Sequence, residues 1–410
     1  MDEGERLTKL IERHKTDSDY LRAVNLRMGR DIVPAVMGDM RELGRNVLFF
    51  TGSRSMKAAG FTDKYKREMR DRGLEVQTYS GIHPNPTLGH MRGIVEYVQA
   101  NGPFDMIFAL GGGSVIDTAK AVAAGVHKDI WDVVMDRESI EEALPVIACA
   151  TTSGTGSHLT PYTVVTSEAT SEKRTLKHDL LLPKQSLVDL NVLDSLPPSV
   201  VAETGFDVLC HALEVYTRDD CTDAEREFAK RSLELVNKHL VNSYRHGAPI
   251  DREGMAYADA YAGLCLAMRG THVPHAISHP ISGRFSFISH GQSLAYIMPT
   301  TIAAQMALGD ETVNTRFGEV SKLIGGNGNL AQTLLSWTQT LGISHEHQPV
   351  GLTEEDLDGI IEDTERYRVG SVKRCPAVGE QMVRYIPDIV RASFGNHGEV
   401  QRPDLFEALK

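Results

Sequence analysis

The segment Phe104-Asp-Met-Ile-Phe-Ala-Leu-Gly111-Gly112-Gly113-Ser114-Val-Ile-Asp117-Thr-Ala-Lys120 constrains the fold of this chain more than any other. Met106 to Leu110 is a short apolar run closed by glycine, the pattern of a buried strand. Beyond the glycines, Val115, Thr118, Ala119, Val122 and Ala123 recur at helical spacing. A strand that turns through glycine into a helix presents backbone N–H groups to an anion, above all a phosphate. A Cβ in that turn would block close approach, which accounts for Gly112 and Gly113 ahead of Ser114. The spacing is neither the G-x-G-x-x-G dinucleotide fingerprint nor a Walker A loop.

The same strand-then-helix alternation runs up to Pro198. Strands are expected near 47–51, 75–80, 106–110, 145–150, 163–166 and 186–189, with helices between them such as 87–101 and 114–125. This predicts an α/β domain over 1–198 with a doubly wound, mostly parallel sheet. After Pro197-Pro198 the pattern changes. Ser199–Thr217, Asp223–His246, Arg252–Arg269, Leu330–Leu341 and Thr353–Tyr367 all have helical periodicity, so 199–410 is expected to be an all-helical domain. Leu7, Leu10 and Ile11 predict a short amphipathic helix at the N-terminus.

Two further segments carry chemistry. After the strand ending at Ala150 comes Thr151-Thr152-Ser153-Gly154-Thr155-Gly156-Ser157, small hydroxyl residues among glycines, suited to lie against a ligand. In the helical half, Asp207 and His211 are four apart, as are His275 and His279, with His290-Gly291 following. On a helix each pair shares one face. Taken alone, an i, i+4 pair of this kind is more often a polar helix face than a metal site. One carboxylate with several imidazoles nonetheless suits a borderline divalent ion such as Fe2+ or Zn2+.

The 410 residues exceed what one core supports, and a hydrophobic content of 41% provides for a large interior. A net charge of −12 argues against nucleic acid or an anionic membrane as partner. No apolar run approaches a membrane span. Five widely spaced cysteines without a C-x-x-C and an acidic N-terminus fit reduced thiols in a cytoplasmic protein.

Taken in order, G-G-G-S-x-x-D-x-A-K, T-T-x-G-T-G-S, D-x-x-x-H, H-A-x-x-H and a later H-G resemble the iron-containing (group III) alcohol dehydrogenase family. Pro84-Asn-Pro-Thr87, Asp189 and Leu196-Pro-Pro198 belong to the same likeness, which runs from about Arg30 to the C-terminal helices. The resemblance implies a nucleotide-binding domain, a helical domain, a metal in the cleft between them and a homodimer. Carried over by position, the metal ligands would be Asp207, His211, His275 and His290, with His279 beside the nicotinamide as a proton-relay group. Gly112, Gly113, Ser114, Asp117, Thr151, Thr152, Thr155, Lys173 and Leu190 align with cofactor contacts. Where the family usually has glutamate after T-G-S this chain has His158, and the His275-to-His290 interval looks one residue longer than is common.

The resemblance also frames the cofactor. Members that prefer NAD(H) tend to carry an aspartate after the strand corresponding to Val47–Thr51, where it bonds the ribose and repels a 2′-phosphate. Here Gly52-Ser53-Arg54-Ser55 follows, with no acid. Gly52 leaves room, Ser53 and Ser55 can donate, and Arg54 can neutralise phosphate charge, so NADP(H) is expected in preference to NAD(H). The expected reaction is metal-dependent, NADPH-linked reduction of a small aldehyde to its alcohol, and the reverse. Arg269, ahead of His275, is expected to clamp an anionic substrate tail of carboxylate, sulfonate or phosphonate type, with Arg284 after it as a second cation near the site. The competing classes are a dehydroquinate-synthase-like or glycerol-dehydrogenase-like enzyme on the same scaffold, and a catalytically dead binding protein.

Overall fold

The computed structural model describes residues 2–135, 139–395 and 400–410. The chain forms two compact units, Met1–Leu196 and Pro197–Lys410. Helices of eight residues or more are numbered here in chain order.

The first unit opens with α1 (Glu3–His14), which buries Leu7 and Leu10 and is capped by the Asp2 side chain. Its strands are β1 (Leu26–Gly29), β2 (Asn46–Gly52), β3 (Glu75–Ile82), β4 (Met106–Gly111), β5 (Val146–Ala150), β6 (Tyr162–Thr166), β7 (Lys173–Lys177) and β8 (Gln185–Asp189). Six of them form one parallel sheet in the order β1-β8-β5-β4-β2-β3. Alternate residues of its strands (Phe49, Phe108, Ile147, Leu187) point to one face, where α2 (Ile32–Leu43) and α3 (Phe61–Asp71) contribute Met37, Met40, Tyr65 and Met69. A second core gathers Leu88 and Met91 of α4 (Leu88–Asn101), Ala121 and Ala124 of α5 (Gly113–Gly125), Ile130 and Val165.

Successive strands run from β2 outward to β3, then cross back to β4 and onward through β5 to β8. The strand order therefore reverses between β2 and β4, the place where open α/β sheets bind ligands. Thr51 pairs with Leu110, Gly111 with Ala150, and Ala150 with Val188. The segments beginning at Gly52, Gly112, Thr151 and Leu190 thus leave the sheet along one carboxyl edge.

One expectation is corrected here. The strand near 163–166 is not part of the parallel sheet; β6 pairs antiparallel with β7 in a separate two-stranded sheet. Only the short stretch Ser167–Glu172 joins β6 to β7, a connection that permits a hairpin, whereas parallel pairing needs a long crossover. The short edge strand β1 adds a member to the sheet that the alternation did not signal.

A fully buried ammonium ties the two glycine-containing loops together. Lys120 Nζ, on α5, donates to the carbonyls of Ser157 (2.5 Å), Thr160 (2.7 Å) and Tyr162 (2.8 Å). Burial pushes its pKa down to about 8, opposed by the nearby Asp117 carboxylate. Asp117 in turn accepts from Ser157 Oγ and from the Val164 amide. Lys120→Met would strand those acceptors and the Asp117 charge. We expect a loss of about 3–5 kcal/mol of stability, read by thermal or urea denaturation.

In the second unit the helices are α6 (Pro198–Thr217), α7 (Asp223–His246), α8 (Pro249–Arg269), α9 (Val273–Arg284), α10 (His290–Leu308), α11 (Glu311–Leu323), α12 (Leu330–Thr340), α13 (Glu354–Tyr367) and α14 (Ile386–Ser393). Among the described residues, this unit has no strand, and no helix of either unit is long and apolar enough to cross a membrane.

Candidate metal centre

Asp207, His211 and Glu214 follow each other on α6 at i, i+4 and i+7, so they share one face of a helix whose inner turns are wholly buried. Helix α9 brings His275 and, one turn on, His279. His290 is the first residue of α10. Glycine at 291 allows this meeting: a Cβ there would lie 2.3 Å from the Glu203 carbonyl oxygen of α6. The start of α10 can therefore press against the α6 backbone, which brings His290 to Asp207.

The side chains converge on one atom. Asp207 Oδ1 lies 3.4 Å from His275 Nε2, 3.5 Å from His211 Nε2 and 3.8 Å from His290 Nε2. The His211 and His275 rings stack at 4.6 Å. Asp207, His211 and His275 each place one donor atom within 4.8 Å of the others. Asp207 Oδ1 and His275 Nε2 are buried and have no hydrogen-bond partner. Four donors tetrahedrally placed about 2.1 Å from an ion would be roughly 3.4 Å apart. Three imidazoles and one carboxylate suit Fe2+ or Zn2+, so the residues present fit a divalent metal.

A second carboxylate backs the first. Glu214, fully buried, is hydrogen-bonded through Oε1 to His275 Nδ1, while its Oε2 accepts from the His272 backbone N–H at 2.7 Å. Burial opposes its ionisation, but His275 and His272 hold it down to about 2. With Nδ1 engaged by Glu214, His275 presents Nε2 to the centre. Ser278 Oγ contacts His290 Nδ1 at 3.0 Å and Ser293 Oγ at 2.7 Å, orienting the third imidazole in the same way. Asp207 and Glu214 together bring two negative charges, matching a divalent cation. Sequence reasoning overlooked Glu214, although its position three residues after His211 places it on the same helix face.

The cofactor candidates gather in the first unit. Gly112 is the N-cap of α5 and lends no capping side chain, which leaves the helix's first N–H groups for a ligand. The two loops interlock: a Cβ on Gly112 would lie 3.1 Å from Thr152 Oγ1, and one on Gly113 would lie 2.7 Å from Thr155. Either Cβ would press on a threonine side chain, so this packing favours glycine at both positions. Thr151 donates its N–H to the Gly111 carbonyl. Ser53, Arg54 and Ser55 are exposed beyond Gly52, with Ser55 opening a short helix. Lys173 starts β7 and reaches Asn85 Oδ1 at 3.4 Å; Leu190 is buried just after Asp189. Asp117 accepts from Ser157 Oγ and from the Val164 N–H, so its carboxylate holds the 151–164 stretch against α5.

Arg269 is also corrected. It is the last residue of α8, which Gly270 ends at φ +74, so it shares no helix face with His275. Its guanidinium makes two 2.9 Å bonds to Glu225 and reaches Asp220 at 3.5 Å. That carboxylate pair occupies the fork expected for a substrate anion. Arg284 is likewise paired, with Asp363 at 2.6 Å. His279 Nδ1 is engaged by a residue the sequence did not single out, Arg368, at 2.6 Å.

Glu214→Ala should weaken metal binding about 10- to 100-fold, as loss of a hydrogen-bonded partner of a ligating histidine does. Competition with a chelator measures it, and unchanged affinity in a folded variant would contradict the role of Glu214.

Comparison with known proteins agrees with this geometry. Residues 23–190 match the iron-containing alcohol dehydrogenase family, and residues 201–383 match the C-terminal domain of the Fe-containing alcohol dehydrogenase family. The NADPH-dependent butanol dehydrogenase of Clostridium saccharobutylicum is 30% identical over 71% of this chain and 75% of its own. The NAD-dependent methanol dehydrogenase of Bacillus methanolicus is 28% identical over 81% and 89%. A crystal structure of an archaeal halo-thermophilic alcohol dehydrogenase from a Red Sea brine pool superposes with a TM-score of 0.83 at 30% identity, covering 90% of this chain and 97% of that one. The chain belongs to the iron-containing alcohol dehydrogenase family and is an oxidoreductase of that type.

Proposed function

We propose that this protein reduces a small aldehyde to its primary alcohol with NADPH, and catalyses the reverse oxidation, using a divalent metal held by Asp207, His211, His275 and His290. The observation that carries the reading is the unpartnered Asp207 Oδ1 with three imidazole Nε2 atoms 3.4–3.8 Å away. When bound, the ion supplies Lewis-acid polarisation of the substrate oxygen and the reduced nicotinamide supplies the hydride.

The protein's own residues do the rest. The N–H groups at Gly113 and Ser114 cradle the pyrophosphate at the start of α5. Thr151, Thr152 and Thr155 line the same edge. Ser53 and Arg54 stand where the ribose 2′-phosphate of NADPH would bind, and Gly52 brings no carboxylate against it. His279, one turn after His275, bonds the substrate oxygen. Arg269 and Arg284 are both paired within the protein, so an anionic tail on the aldehyde has no support from either.

Iron-loaded protein assayed by nicotinamide absorbance, with both cofactors and a panel of aldehydes with and without anionic tails, tests the reading. We expect turnover with small aldehydes and a higher kcat/KM for NADPH than for NADH. A Cβ at Gly52 would meet only the Ile82 carbonyl oxygen, at 3.8 Å, so Gly52→Asp should fold normally. It should shift preference towards NADH by roughly ten- to a hundredfold, through charge repulsion and a new ribose contact. Equal use of both cofactors by the unaltered protein would overturn the NADPH assignment.

A further inference from the structure

Arg368 takes no part in the reaction as described so far. It is the C-cap residue of α13, and its backbone N–H bonds the Thr364 carbonyl. Its Nη2 lies 2.6 Å from His279 Nδ1. The His279 ring stands 5.5 Å from that of His290 and 6.4 Å from that of His275, centroid to centroid. A residue distant in sequence thus delivers a guanidinium to an imidazole that stands beside the metal histidines and is not itself in the ligand set.

A guanidinium has N–H donors only and no acceptor. The nitrogen it contacts must carry the lone pair. We infer that Arg368 is a positioning residue that holds His279 as the Nε2–H tautomer, so that His279 faces the reacting oxygen as a hydrogen-bond donor. This rests on the reaction proposed above. An Nδ1–H tautomer would set a ring N–H against an Arg368 N–H, and with Arg368 in place that arrangement is excluded. The developing alkoxide then receives a hydrogen bond from Nε2, while the proton that completes the alcohol comes from water. The simple proton-relay role expected for His279 becomes that of a fixed neutral donor, oriented from α13.

The test uses zinc-loaded holoenzyme, zinc being diamagnetic, labelled with 15N-histidine. Long-range 1H–15N correlation reads each ring's tautomer, and the His279 signals are identified by their loss in His279→Gln. We expect a protonated Nε2 and a bare Nδ1 in the unaltered protein. In Arg368→Met, Nδ1–H should become populated, and kcat for aldehyde reduction should fall about tenfold or more, with KM and zinc content unchanged. Arg368→Lys keeps a donor and should recover part of both the tautomer and kcat; it carries the same reading if the Met variant does not fold. An unchanged His279 tautomer in Arg368→Met would overturn the inference. So would a loss expressed only as a raised KM for anionic aldehydes, since that assigns Arg368 to the substrate. If the protein reduced no aldehyde, the tautomer would still decide the role of Arg368, so the two failures are distinct.

Discussion

Asp207 Oδ1 is buried without a hydrogen-bond partner, with three imidazole nitrogens 3.4–3.8 Å away and a second buried carboxylate, Glu214, behind one of them. A buried polar atom without a partner costs free energy, and two buried carboxylates cost far more unless compensated. A divalent cation resolves both: it satisfies the converging lone pairs and neutralises the two charges. The surrounding helices are arranged to bring these atoms together. Helix α6 supplies Asp207, His211 and Glu214 from one face, and Glu214 anchors the start of α9 through the His272 N–H. Gly291 lets α10 approach α6 within backbone contact. The fold of the second unit is in this sense built around a charge problem.

The first unit solves a different one. A dinucleotide needs backbone donors at close range, and an open helix N-terminus provides them only if the preceding turn stays narrow. Gly112 and Gly113 do this while packing on Thr152 and Thr155. Lys120 and Asp117 fasten the partner loop from beneath, through Ser157, Thr160, Tyr162 and Val164. A buried lysine is costly, but three carbonyls meet its three N–H donors.

Much of this was legible in the sequence. Strands β2, β4 and β5 hold apolar runs buried on both faces, the pattern of interior parallel strands. Helices such as α7 combine a capping box with amphipathic spacing. What escaped has physical causes. Helix α10 carries Pro299 and is buried nearly all round, so it lacks the usual periodicity. β7, Lys-Arg-Thr-Leu-Lys, is a charged strand whose assignment depends on its hairpin partner. At the site, the ligand residues stood out by type and spacing, and Glu214 could have been found by extending the same helix face. Arg368 could not, because its approach to His279 depends on how α13 packs against α9. Arg269 misled for the complementary reason: nothing local to its helix signals that Glu225 and Asp220, far earlier in the chain, take its guanidinium.

The most direct test of the central claim is to locate the metal itself. Crystals of the iron-loaded protein, measured at wavelengths either side of the iron absorption edge, should give one strong anomalous difference peak in the second unit. The account predicts that peak about 2.0–2.2 Å from Asp207 Oδ1 and from the Nε2 atoms of His211, His275 and His290. A peak coordinated elsewhere, or one from which Asp207 is absent, would contradict it.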